Sequence, residues 1–230
     1  MCGRIANTLP HDAMARLFSA QPANALPALP DYNICPTQDL AVVRLDGGAR
    51  RYLPLRWGFV PHWYKTPTDG PLLINARAET IAEKPAFREA CRSRRCLVPV
   101  TGFYEWHRAG GRKLPWFFSR ADGEPLVMAG IWQDWQQGAE SLSTLAVVTT
   151  SANALMAPVH DRMPVVLDPA DWPLWLGEEG HGAARLMRPA PDGTLTAWRV
   201  SPAVNSNRAE GPDLIEPFED GAENDLISGL

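Results

Sequence analysis

The chain begins Met1-Cys2-Gly3-Arg4, one residue away from presenting a cysteine as its amino terminus. The small cysteine side chain permits removal of Met1, which would leave an α-amine and a thiol on adjacent carbons. A free α-amine titrates at about 7.7–8.0 and a free thiol at about 8.5, so both are partly reactive at neutral pH. The cation of nearby Arg4 is expected to lower the thiol further. Such a pair condenses with an aldehyde to an imine and then closes a five-membered thiazolidine ring. Alternatively, the thiol attacks a carbonyl with its own amine as base. An ordinary small buried cysteine near a terminus remains the plainer reading of Cys2.

Three further segments combine polar side chains with turn formers: Ile74 to Thr80, Gly102 to Trp106 and Val159 to Pro164. Each directly follows an apolar run and reads as a loop at the end of an element, where a scaffold commonly fixes functional groups. Glu105 stands among Phe103, Tyr104 and Trp106. Desolvation by aromatic rings tends to raise a carboxyl pKa, which suits general acid and base work, although a carboxylate paired with arginine fits the sequence as well. His160 could be a general base, a phosphate ligand or a satisfied core histidine. Asn75 could bind a substrate oxygen or close a turn, and on an extended segment Arg77 shares its face. Trp57, Trp63 and Tyr64 could stack on nucleobases or lie in the core. The five histidines show neither an HExxH pattern nor a Cys/His ligand spacing, so no metal or other cofactor is expected.

These residues need elements to hold them. Twenty-two prolines keep most segments short, which argues against a helical bundle or a Rossmann array. Apolar β-type runs occur at 40–45, 72–74, 96–100, 116–119, 126–131, 142–150, 164–167 and 196–200. Helix-type patterns occur at 11–20, 79–93, 154–157 and 169–176. A strand-rich chain with a few helices follows.

At 230 residues and 45% hydrophobic, the chain supports one sizeable core and one domain. No apolar run approaches the roughly 18 residues that span a bilayer, and Arg4, His11, Asp12 and Arg16 interrupt any signal-peptide centre. A cytoplasmic protein with no membrane partner is expected, its four cysteines reduced. The net charge is −4, but seven acidic residues and no Lys or Arg lie beyond residue 209. Residues 1–209 therefore carry 22 basic against 19 acidic groups, a net of +3. An Arg-rich face able to grip phosphates is compatible with that distribution, and so is a solvated charged surface. The acidic stretch 219–230 is expected to be disordered.

Together with Tyr32 to Thr37, Arg56-Trp57-Gly58, Asn75 to Thr80, Gly102 to Trp106, Ala129 to Trp132, His160 to Pro164 and Val204-Asn205, the Cys2 terminus resembles the SOS response-associated peptidase family. Its members are also called abasic-site processing proteins. The resemblance runs in order from residue 2 to about Pro217. It implies an α+β fold, a single domain over 2–218 with a mixed, barrel-like β-sheet core and peripheral helices.

The resemblance also implies a function, the capture of abasic sites in single-stranded DNA as a covalent protein–DNA crosslink. Cys2 is similar to the nucleophile that forms the thiazolidine with the ring-opened sugar. Asn75 is similar to the residue that holds the sugar oxygen, Glu105 to the acid/base group that helps open the ring, and His160 to the group that steers the open sugar. Arg4, Arg77 and Arg162 are expected to grip phosphates, with Trp63 near the strand. The partner is then single-stranded DNA, which would place the protein at the nucleoid when it acts. Weak abasic-site lyase activity and self-processing peptidase activity are compatible additions. Two rivals share parts of the pattern, an N-terminal-nucleophile glutamine amidotransferase and a non-covalent single-strand-binding module.

Overall fold

The run Leu145-Ala146-Val147-Val148 shows how the core is built. Side chains alternate across a strand, so Leu145 and Val147 enter one apolar cluster while Ala146 and Val148 enter another. Leu40 to Val43, Cys96 to Val98 and Leu126 to Ala129 divide between the same two clusters. Strands buried on both faces read as near-continuous apolar runs rather than as alternating ones, which is why the sequence reveals them.

A computed structural model describes residues 2–218; the acidic stretch 219–230 and Met1 lie outside them. In chain order the elements are β1 (Ile5–Asn7), α1 (His11–Leu17), β2 (Gln21–Pro22), β3 (Asp31–Ile34), β4 (Asp39–Asp46), β5 (Ala49–Trp57), β6 (Asn75–Arg77), α2 (Arg88–Ser93), β7 (Arg95–Val100), β8 (Gly102–Ala109), β9 (Arg112–Arg120), β10 (Leu126–Gln137), β11 (Glu140–Ser151), β12 (Arg162–Pro164), α3 (Trp172–Leu176) and β13 (Leu195–Arg199). Strands β11, β10, β7, β4 and β5 form antiparallel neighbours in that order. Parallel pairing of β5 with β11, Arg56 opposite Thr144, closes them into a five-stranded barrel. A second sheet runs β13-β9-β8-β1-β3.

The two clusters give the layers. One joins the barrel strands to Met14, Ala90, Trp172 and Trp175 of the three helices. The other joins them to Cys2 and to Ile5, Phe103 and Phe118 of the second sheet. The expected α+β fold with a mixed, barrel-like core and peripheral helices is what the chain adopts.

Several element boundaries differ from the expectation. The helix expected over 79–93 is confined to α2, because Pro85 lacks an amide hydrogen and excludes its predecessor from helical geometry. Residues 154–157 form hydrogen-bonded turns rather than a helix. The segment 102–106 is no loop but the start of β8, and Asn75–Arg77 and Arg162–Pro164 are strands. Gly102 permits this. A Cβ there would stand 2.3 Å from the Phe118 carbonyl oxygen, so only glycine lets β8 lie this close to its neighbour.

Candidate active site

Strand pairing carries the amino terminus into the site. Ile5 of β1 pairs with Phe103 of β8, and the Tyr104 N–H donates to the Arg4 carbonyl at 3.0 Å. Continued toward the terminus, that antiparallel register sets Gly3 opposite Glu105, and Cys2, one residue further, lies close enough to feel the Glu105 charge. From the other side, β6 is fixed by parallel pairing of Asn75 with Val147. Asn75 Nδ2 donates to the Cys2 carbonyl at 2.9 Å, and Asn75 Oδ1 is buried without a hydrogen-bond partner.

Cys2 is 2% exposed and packs in the cluster that includes Phe103 and Trp57. Burial pushes its thiol well above the usual range, and the neighbouring charge of Glu105 pushes the same way. The expectation that Arg4 lowers this thiol is therefore corrected. The Arg4 guanidinium turns away to donate to Asn33, to Asn207 and, at 2.9 Å, to the Val204 carbonyl. The positive charge of the amino terminus opposes the rise, and so, more weakly, does the Arg4 backbone amide, the one part of Arg4 that acts on the sulfur.

Glu105 is 4% exposed. It shares its strand face with Phe103, whereas Tyr104 joins the cluster on the opposite face. Only part of the aromatic surroundings read from sequence neighbours therefore reaches the carboxylate. Its Oε1 accepts the Trp106 N–H at 3.4 Å.

His160 ends the turn that follows β11. Asn153 organises that turn, with Oδ1 accepting from the Met156 N–H at 3.1 Å and Nδ2 donating to the Ala190 carbonyl at 3.2 Å. His160 Nδ1 accepts from the Arg162 N–H at 3.0 Å and lies 3.0 Å from the Asp161 carboxylate. His107, on the Glu105 face of β8, ties the same turn down: its Nδ1 lies 2.9 Å from the Pro158 carbonyl. A carbonyl only accepts, so this nitrogen carries the hydrogen.

Glu105 and His160 line one cavity of about 380 Å³, together with Gly3, Arg4, Trp106, Arg108, Lys113, Asn205 and Asn207. Three permanent cations there face one carboxylate, which favours an anionic ligand. Trp106 Nε1 donates to Asn205 Oδ1 at 2.6 Å, and the Arg4 guanidinium lies 5.7 Å from the Trp106 ring centre.

The structure thus brings Cys2, Asn75, Glu105 and His160 together and adds Arg4. It places the other expected DNA-binding residues apart from the cavity. Arg162 forms a bidentate pair with Glu79 at 2.7 and 2.9 Å and donates to the Thr149 carbonyl. Arg77 is exposed on β6 beside it. Trp63 is 48% exposed, edge-on to His62 and Tyr64. Sequence reasoning missed Arg108, Lys113 and His107 as site residues. The signal for them is the basic run around Gly110-Gly111, which marks a hairpin. Among the described residues no group of His, Cys, Asp or Glu could hold a metal ion, and no helix is long and apolar enough to cross a membrane.

Comparison with known proteins adds to this geometry. A family model described as SOS response associated peptidase (SRAP) matches residues 1–207. The chain is 36% identical over 192 residues to the abasic site processing protein YoqW of Bacillus subtilis, covering 81% of this chain and 86% of that protein. It is 30% identical over 228 residues to the abasic site processing protein YedK of Escherichia coli, covering 94% and 100%. A crystal structure of a Bacteroides thetaiotaomicron protein shares the fold, with a TM-score of 0.83 at 24% identity over 95% of this chain and all of that one.

Proposed function

Because the chain belongs to the SOS response-associated peptidase (SRAP) family, we propose that it processes abasic sites, capturing them in single-stranded DNA as a covalent crosslink through Cys2 once Met1 is removed. The names of its relatives support abasic-site processing. The single observation that carries the covalent reading is the setting of Cys2. Asn75 anchors its carbonyl at 2.9 Å, the Glu105 carboxylate is close enough to perturb its thiol, and Glu105 and the adjoining Gly3 line a cavity that holds three cations.

The chemistry follows from the order in which two nucleophiles act. The ring-opened abasic sugar carries an aldehyde at C1′. The α-amine of Cys2 adds to that carbon, and loss of water gives an imine. The sulfur then adds to the same carbon while its proton passes to nitrogen, closing a thiazolidine in which C1′ bears both N and S. One water leaves overall. Burial and the Glu105 charge raise the thiol, so the amine attacks first and Glu105 serves as the base that relieves the sulfur of its proton. Glu105 as acid and base also assists opening of the sugar hemiacetal. Asn75 holds the sugar oxygen and His160 steers the open sugar. Arg4, Arg77 and Arg162 are proposed as phosphate ligands, Arg162 only after it exchanges Glu79 for DNA, and Trp63 lies beside the strand. The folded domain spans 2–218, and the protein works in the cytoplasm at the nucleoid. If the adduct is held as the imine, loss of the 2′ proton expels the 3′ phosphate, a weak lyase activity. Peptidase activity is confined to self-processing at Cys2.

Mass spectrometry of the intact protein after incubation with an oligonucleotide bearing one abasic site tests this reading. The expected product is protein lacking Met1 plus oligonucleotide minus one water. A crosslinked product that retains Met1, or no adduct at all, overturns it.

A further inference from the structure

The hairpin joining β8 to β9 turns at Gly110-Gly111, whose φ angles are 56° and 76°. Two consecutive left-handed residues make the tight turn that suits a twisted antiparallel pair. This turn fixes the register, and the register sets Arg108 directly opposite Lys113. Like charges facing each other across a ladder destabilise it. Residues 106–113 contain no acid, and among the described residues neither Arg108 nor Lys113 forms an ion pair. Both are exposed, yet both line the same cavity as Glu105 and His160. Two residues back along β8, on the Arg108 face, Trp106 is pinned to Asn205 and lies beneath Arg4.

We infer that Arg108 and Lys113 form a phosphate clamp that holds the phosphodiester of the single strand adjoining the captured sugar. The clamp rests on the reading of this site as one for single-stranded DNA. A phosphodiester presents two non-bridging oxygens that share one charge. The planar fork of an arginine and the point charge of a lysine grip such a group from two sides. Bound phosphate also turns the repulsive pair into an attractive triad, so a feature that costs the free hairpin stability strengthens the complex. Arg162, by contrast, must first give up a bidentate carboxylate.

The test uses intact single strands without an abasic site, so it reports binding whether or not Cys2 reacts. The doubly substituted Arg108→Thr/Lys113→Thr protein keeps β-forming side chains and should bind such a strand at least about tenfold more weakly at low salt. Its salt slope should fall by about 1.4, two phosphate contacts at about 0.7 each. Its thermal midpoint should equal or exceed that of the unsubstituted protein, because the repulsion is gone. Scanning one uncharged methylphosphonate along the strand should find a linkage whose neutralisation weakens the unsubstituted protein similarly and the double variant no further. An unchanged salt slope, or no such linkage, overturns the clamp. So does a midpoint that falls along with affinity, since that makes the pair structural, and the scan on unsubstituted protein decides the matter even if the variant fails to fold. A protein that fails to crosslink abasic strands yet loses affinity for intact ones on substitution keeps the clamp and loses the covalent reading.

Discussion

At the level of single residues, the site opposes reactivity of the sulfur in order to control it. Burial at 2% exposure and a neighbouring carboxylate both raise this thiol, so in the proposed mechanism it becomes a nucleophile only once Glu105 takes its proton. Glu105→Gln separates two consequences of the one side chain. Removing the charge removes one cause of the raised thiol, so alkylation of Cys2 by iodoacetamide at pH 8 should become faster. Removing the acid/base group should at the same time slow crosslinking of an abasic oligonucleotide by about 10²–10⁴-fold. The two rates, read by mass spectrometry on the same protein, should move in opposite directions. If they fall together, Glu105 acts by holding the structure. Cys2 was conspicuous in the sequence because its chemistry depends on position 2 itself. The direction of its thiol shift was not, since it depends first on burial in the folded core and then on a carboxylate more than a hundred positions away.

Among the elements, legibility followed burial. The barrel strands β4, β7, β10 and β11 are apolar on both faces and were visible as runs, whereas β8 was read as a loop because only part of it is apolar. The same mixture that hid β8 as a strand marked it as a site, since Glu105, Trp106, His107 and Arg108 crowd the stretch where it leaves the core. The turn that presents His160 was read as partly helical, and its real supports, Asn153 and His107, come from outside any periodic pattern. His107→Leu deletes the donor to the Pro158 carbonyl while keeping bulk. We expect faster amide hydrogen exchange confined to residues 153–160 and a crosslinking rate lowered toward that of His160→Ala, with little change in affinity for intact single strands. Exchange that rises throughout the barrel would instead make His107 a general stabiliser.

For the molecule as a whole, overall charge gives little warning of the local field. A chain of net −4 sets three permanent cations around one buried carboxylate, so the charge that meets an anionic ligand is opposite to the charge of the protein. The closed barrel supplies the rigid wall against which β6 and β8 hold their residues. The placing of β1 also has a consequence in time. Although β1 is made first, its partners are β3 and then β8, which begins at Gly102. At ~5–20 residues per second, translation reaches that partner roughly 5–20 s after the terminus emerges. Until then the first peptide bond is open to an aminopeptidase, and afterwards Cys2 is shut into the core. The proposed removal of Met1 is therefore expected to take place on the nascent chain. Methionine aminopeptidase should trim Met1-bearing protein readily when it is unfolded in mild denaturant and far more slowly once it is native, as intact mass would record. Equal trimming rates would mean that the terminus opens freely after folding. A slow ribosome lengthens this interval and a fast-folding variant shortens it, so on the proposed mechanism the fraction of protein able to crosslink is expected to be set during its own synthesis.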